Sequence, residues 1–136
     1  MADQVVQWAR VGPGPELQGG GTGDRKFRVL KLTWTSATGG TVTSTASGFV
    51  IRKLYAIETD PGTPAPTASY DISIENERSI AVASASNRSA TLNEHEEINS
   101  TNGEGVWLAS APTIKITGAG DEKQGVVYLI SRPEYQ

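Results

Sequence analysis

The sequence contains no cysteine, so neither a disulfide scaffold nor a thiolate metal site is available to it. It also lacks a long apolar run, since segments such as residues 126–130 are far too short to cross a bilayer. The N-terminus shows no basic stretch followed by an apolar one, which is the pattern of a signal peptide. These absences predict a soluble protein that is synthesised in the cytoplasm and does not contact a membrane.

Clustered positive charge and catalytic motifs are missing as well. The formal net charge is −3, with Lys and Arg spread along the chain, so we expect no nucleic-acid partner. His95 is the only histidine, and its acidic neighbours cannot all point at one ion from consecutive positions. The glycines at 19–23 lack the Lys-Ser/Thr of a phosphate-binding loop, and no Gly-x-Ser-x-Gly motif is present. We therefore expect no metal, no cofactor and no enzymatic activity.

What the sequence does contain is a succession of short segments typical of strands. Its 136 residues fit one domain, and Thr, Ser, Gly and Val are abundant. No amphipathic helix separates the segments, which excludes alternating strand–helix architecture. The pattern predicts an all-β fold, an antiparallel, jelly-roll-like β-sandwich in a single domain over residues 24–136. The strands are predicted at 27–35, 41–45, 48–59, 70–75, 78–83, 106–110, 113–117 and 124–131.

Alternation of apolar and polar residues predicts which side chains face the core. The inward positions are predicted to be Leu30, Leu32, Trp34, Tyr70, Ile72, Ile74, Ile80 and Val82, and Trp107 is interpreted as a further core residue. The polar stretch 84–104 is predicted to be a long loop with one helical turn around residues 92–98.

The first 23 residues have a different character from the rest. A short apolar cluster formed by Val5, Val6, Trp8 and Val11 precedes a stretch rich in Gly and Pro at 12–23. This combination predicts an extended N-terminal arm on a flexible linker, with the apolar side chains docking on another subunit. A first strand of the same domain, or a frayed terminus, explains the same pattern.

A second candidate contact is the proline-rich loop at 60–69. Pro61, Pro64 and Pro66 each fix φ, so the loop is expected to be extended and stiff and to lose little entropy on docking. A plain connection between two strands explains it equally well. The predicted protein-interface residues are therefore Val5, Val6, Trp8, Val11, Pro61, Pro64 and Pro66.

Residues 38–131 contain a distinctive succession of segments. They are Thr-Gly-Gly-Thr-Val-Thr-Ser-Thr (38–45), Gly-Phe-Val-Ile (48–51), Thr-Asp-Pro-Gly-Thr-Pro-Ala-Pro-Thr-Ala-Ser-Tyr-Asp-Ile (59–72), and the closing Ile-Lys-Ile-Thr-Gly-Ala-Gly (114–120) and Gly-Val-Val-Tyr-Leu (125–129). This succession resembles small structural proteins of tailed bacteriophages. At 75–78 the chain has Glu-Asn-Glu-Arg where the likeness leads one to expect Asp-Glu-Asp-Gly.

The resemblance implies a virion component, in particular a capsid decoration (cement) protein. Such a protein would bind the major capsid protein at junctions between its subunits, stabilise the head and assemble as a homotrimer. Two other functions stay open: a head–tail connector or tail component, and a carbohydrate-binding module of a phage fibre.

Overall fold

A computed structural model describes residues 3–11, 28–98 and 105–132, apart from the side chains of Arg52 and Arg132. In these ranges the chain is all-β and forms ten strands: β1 (Val5–Val11), β2 (Arg28–Thr35), β3 (Val42–Thr45), β4 (Ile51–Pro61), β5 (Tyr70–Glu75), β6 (Ala81–Arg88), β7 (Glu94–Glu97), β8 (Val106–Ser110), β9 (Thr113–Thr117) and β10 (Gln124–Arg132). Within the same ranges there is no helix of the length and apolarity that crossing a membrane requires.

The strands form two antiparallel sheets, as the sequence predicts. Sheet A has the order β1-β2-β10-β4-β7, and β8 pairs with β4 beside β7; sheet B has the order β3-β9-β5-β6. The pairing is nested, because β2 pairs with β10, β3 with β9, β4 with β7 and β8, and β5 with β6. Strands that are far apart in sequence therefore lie side by side, and the chain crosses several times between the two sheets.

The core lies between the sheets. Leu30, Leu32 and Trp34 of β2 are buried, and so are Tyr70 and the two isoleucines of β5, as their alternation predicts. The rings of Trp34 and Tyr70 meet edge to face, with centroids 5.7 Å apart. Burial of each large apolar side chain contributes about 1.5–3 kcal/mol, which makes this cluster the main source of stability. Its other large members are Val42, Leu54, Ile57, Ile114, Ile116, Val127 and Leu129.

The segment after β5 differs from its prediction. Asn76 Oδ1 accepts hydrogen bonds from the backbone N–H groups of Arg78 and Ile80, so a tight turn occupies the predicted start of the strand. The strand β6 therefore begins at Ala81, and Ile80 is 52% exposed where an inward position was predicted.

The predicted loop 84–104 was also wrong over its described part. It contains the end of β6 and the whole of β7, and a strand stands in place of the helical turn. The assignment of Trp107 to the core was wrong too, because β8 directs Leu108 and Ser110 inward and leaves Trp107 56% exposed. The Lys53 ammonium lies 5.3 Å from the centre of its ring.

Candidate functional site

The apolar N-terminal cluster forms a strand of the domain's own sheet. β1 pairs with β2 from Val5 to Val11 without a break, so residues 3–11 are not an arm that extends from the domain. Of the interpretations that the sequence left open, the first strand is the one observed. Val6 and Trp8 pack against the core, and Val5 is 64% exposed. The predicted linker at 12–23 lies outside the described residues.

Two side chains of this segment attach β1 to sheet B. The Trp8 indole N–H donates to Ser44 Oγ at 2.9 Å, and the Gln4 amide bonds both backbone groups of Thr43. Gln4 Nε2 donates to the Thr43 carbonyl at 2.7 Å, and the Thr43 N–H donates to Gln4 Oε1 at 2.8 Å. These are groups that an edge strand otherwise leaves available to another chain. Trp8 and Gln4 therefore join the edge of sheet A to the edge of sheet B on this side of the sandwich.

The proline-rich loop is tied to the domain along its length. The Gly62 N–H donates to the Gln124 carbonyl, the Gln124 N–H to the Pro64 carbonyl, and the Thr67 N–H to the Ala119 carbonyl. Pro61 ends β4 and is half-buried, Pro66 is buried, and Pro64, which follows a cis peptide bond, is exposed. Of the three predicted contact residues in this loop, Pro64 is thus the most accessible to another molecule.

His95 and its acidic neighbours lie on alternate faces of β7. His95 Nδ1 is 2.6 Å from Glu58 Oε2 on the outward face, and both side chains are more than 40% exposed. On the inward face Glu94 and Glu96 contact Arg88, at 3.6 and 3.1 Å. Among the described residues no three His, Asp or Glu side chains are grouped as metal ligands. The arrangement fixes β7 against both β4 and β6.

Arg88 connects the two sheets at this side of the sandwich. Its guanidinium is largely buried and donates to the Ser86 carbonyl from both Nε and Nη2, as well as to Glu96. Because β6 belongs to sheet B and β7 to sheet A, the ion pairs of Arg88 hold the sheet edges together. Sequence reasoning missed this contact, since Arg88 was placed in a loop.

The outward face of sheet B is almost entirely polar. The side chains on it include Thr43, Thr45, Asp71, Ser73, Glu75, Ser84, Thr113, Lys115 and Thr117, with Ala81 on the edge strand β6 as an apolar exception. Lys115 pairs with Glu75 at 3.2 Å, and the hydroxyls of Thr45 and Thr113 are 2.7 Å apart. This is the usual composition of a sheet face that water covers.

The outward face of sheet A is different, and we call its centre the Tyr128 face. It comprises Val29, Lys31 and Thr33 of β2, Val126, Tyr128 and Ile130 of β10, and Ala56, Glu58 and Asp60 of β4. All three β10 side chains on it are apolar or aromatic and half-buried. Burial raises the pKa of Tyr128, and the neighbouring carboxylates of Asp60 and Glu58 raise it further. A sheet face with an apolar central strand is typical of a surface that another protein covers.

The sequence carried a signal for this face. Residues 126–130 are an unbroken apolar run, which predicts burial on both faces of a strand and not only on the inner one.

No protein-family model matches the chain, and none of the curated proteins is significantly similar to it. The functional interpretation therefore depends on the two outward faces and on the resemblance within residues 38–131.

Proposed function

We propose that the chain is a non-catalytic structural protein of a phage virion, a capsid decoration protein that binds the major capsid protein and stabilises the head. The observation that carries the proposal is the difference between the outward faces: sheet B is polar, and sheet A has Val126, Tyr128 and Ile130 along its central strand. Association with other protein subunits is the simplest use of such a face.

Two further features support this function. The nested pairing of β2 with β10, β3 with β9, β4 with β7 and β8, and β5 with β6 is the pairing expected of a jelly roll. The accessible positions among the predicted contacts, Val5 and Pro64, lie on well-anchored backbone and lose little entropy on docking. The homotrimer that the resemblance implies stays a prediction.

Co-purification with particles tests the proposal. The chain and the major capsid protein of the same genome are produced together, and assembled shells are isolated by density gradient and imaged by cryo-electron microscopy. We expect the chain in stoichiometric amounts at junctions between capsid subunits. The chain produced alone should stay at the top of the gradient, which controls for self-aggregation.

The images also separate the neighbouring functions. Shells without the chain would contradict decoration, and density confined to the portal vertex or the tail of complete virions would favour a head–tail connector or tail component.

A carbohydrate-binding module is the second candidate, because Trp107 exposes more than half of its surface beside Lys53. It predicts binding on a glycan array that Trp107→Ala abolishes. If the array gives no signal, the glycans on it are excluded as ligands of the chain.

A further inference from the structure

The Tyr128 face has an ordered arrangement of charge. The strand registers place Lys31 of β2, Tyr128 of β10 and Glu58 of β4 side by side in one row across sheet A. Neighbouring strands are about 4.8 Å apart, so the ammonium-bearing and carboxylate-bearing positions lie at equal distances on either side of Tyr128. The central row therefore carries an ammonium on the β2 side and a carboxylate on the β4 side, where Glu58 also contacts His95 of β7.

The two flanking rows follow the same plan. On one side of the central row, Ile130 lies between Val29 and Ala56, and all three are apolar. In the row on the other side, Val126 lies between Thr33 and Asp60, a hydroxyl donor and a carboxylate acceptor. Each row thus has an apolar or aromatic residue of β10 at its centre. The residues on its two sides are oppositely charged in one row, a donor and an acceptor in another, and both apolar in the third.

We propose that two copies of the chain associate through this face about a two-fold axis that runs along β10. Such a rotation places the β2 residue of each row opposite the β4 residue of the same row in the partner, and the β10 residue opposite its own copy. Lys31 then faces the partner's Glu58, and Thr33 faces the partner's Asp60. Val29 lies over the row position of the partner's Ala56, which is already buried within its own chain and adds little contact. The side chains of Val126, Tyr128 and Ile130 meet their own copies on the axis, as an isologous contact requires.

The charges select this axis over the alternative. A two-fold axis that runs across the strands would place Lys31 opposite the partner's Lys31 and Glu58 opposite the partner's Glu58. Like charges in direct opposition are unfavourable at an interface, so that arrangement is disfavoured. Sheets that pack face to face are about 10 Å apart, a gap that a lysine and a glutamate side chain span together.

The inference rests on the function proposed above, because it takes the Tyr128 face as a protein-binding surface and names a second copy as its partner. In such a dimer the capsid contact falls to surfaces outside this face, such as the exposed Pro64. The two-fold contact is an alternative to the homotrimer that the resemblance implies, and the mass of the assembly distinguishes the two.

Light scattering coupled to size-exclusion chromatography tests the dimer on the purified full chain. At about 100 μM, where a dimer of micromolar Kd is almost fully associated, we expect a mass twice the 14.4 kDa of one chain. Lys31→Glu and Glu58→Lys should each give monomers, since each places like charges at both copies of the contact. Lys115→Glu, the same charge change on the outward face of sheet B, should stay dimeric.

Mixing the two monomeric variants is the decisive step. In the mixed dimer, Glu at position 31 meets Lys at position 58 in the one contact, and Glu58 meets Lys31 in the other. We therefore expect the dimer mass to return in the mixture, and also in a chain that carries both changes. A variant that failed to fold could not be restored in this way.

A wild-type mass of one or three chains, or a mixture that stays monomeric, would overturn the two-fold contact. Since no capsid is present, that result would leave the particle co-purification as the separate test of decoration.

Discussion

Tyr70 is a polar side chain enclosed by the core. Its hydroxyl lies near Thr59, yet among the described residues neither hydroxyl has a hydrogen-bond partner in good geometry. Burial raises the pKa of Tyr70 to about 12, and the Thr59 hydroxyl and the Arg88 guanidinium oppose that rise only in part. The fold therefore favours the neutral phenol over the phenolate.

This pKa shift predicts a loss of stability in alkali. The folded-state pKa lies above the unfolded value of 10.0, so the contribution of Tyr70 is complete below pH 10 and is lost as the pH rises towards 12. We expect Tyr70→Phe to remove this loss, on the order of 2 kcal/mol, and to change the unfolding free energy at pH 7 by less than about 1 kcal/mol. Urea unfolding at pH 7 and between pH 9 and 12 measures both. Identical pH dependence in the two proteins would refute the shift.

Gly125 permits the close packing of Trp34 on the neighbouring strand. A Cβ atom at position 125 would lie 2.5 Å from Trp34 Cζ2, a distance that carbon atoms do not tolerate. We expect Gly125→Ala to lower the unfolding free energy by about 1–3 kcal/mol through overpacking.

The companion substitution Trp34→Phe tests the cause, because it removes the ring atom that would clash. The double variant should lose less than the sum of the two single losses, and strict additivity in a thermal or urea denaturation cycle would contradict this explanation.

Trp34 and Trp107 show when the residue pattern of a strand predicts the burial of a side chain and when it does not. Trp34 was assigned to the core correctly, because it shares its parity with Leu30 and Leu32 in a long strand. Trp107 belongs to a five-residue strand that, among the described strands, pairs only with β4, and so short a segment does not reveal which parity faces inward.

At the scale of elements, β7 depends on Arg88 more than on its own composition. Glutamate has a low strand propensity, and Glu94, Glu96 and Glu97 supply three of the four residues of this strand. It was predicted as part of a loop because the whole stretch 84–104 is polar. The backbone pairing with β4 and the ion pairs with Arg88 compensate, and neither can be read from local sequence.

Removal of the Arg88 guanidinium should therefore free β7. We expect Arg88→Met to lower the unfolding free energy by about 2–3 kcal/mol, because two carboxylates lose their cation and the Ser86 carbonyl loses its donors. The amides of Glu94–Glu97 should exchange with solvent faster.

Lys115→Met is the control, since it removes a cation that is 45% exposed and pairs with the single carboxylate of Glu75, and it should cost less than the loss of Arg88. Equal losses in the two variants would show that Arg88 acts as an ordinary surface cation.

For the molecule as a whole, the order of the strands decides which parts are indispensable. The sequence predicted the two-sheet sandwich and most of its strands, because alternation and turn residues are local signals. It did not predict that the last strand would lie between β2 and β4, since nothing within β10 specifies its partners. The N-terminal segment remained ambiguous for the same reason: its apolar residues suit an arm and an edge strand equally.

Two truncations compare a central strand with an edge strand. A chain that ends at Lys123 lacks β10, which supplies Val127 and Leu129 to the core and pairs on both sides. We expect it to show no cooperative unfolding by circular dichroism. A chain without residues 1–11 loses an edge strand and should stay folded with a lower Tm. The reverse order of severity would contradict the observed sheet order.

The Gln4 amide affects how copies of the chain can associate at high local concentration. Its amide occupies the backbone groups of Thr43 that would otherwise recruit a strand from the next molecule. Copies brought together at high density are thus hindered from continuing sheet B by strand addition at Thr43, so contacts at this edge have to be made by side chains.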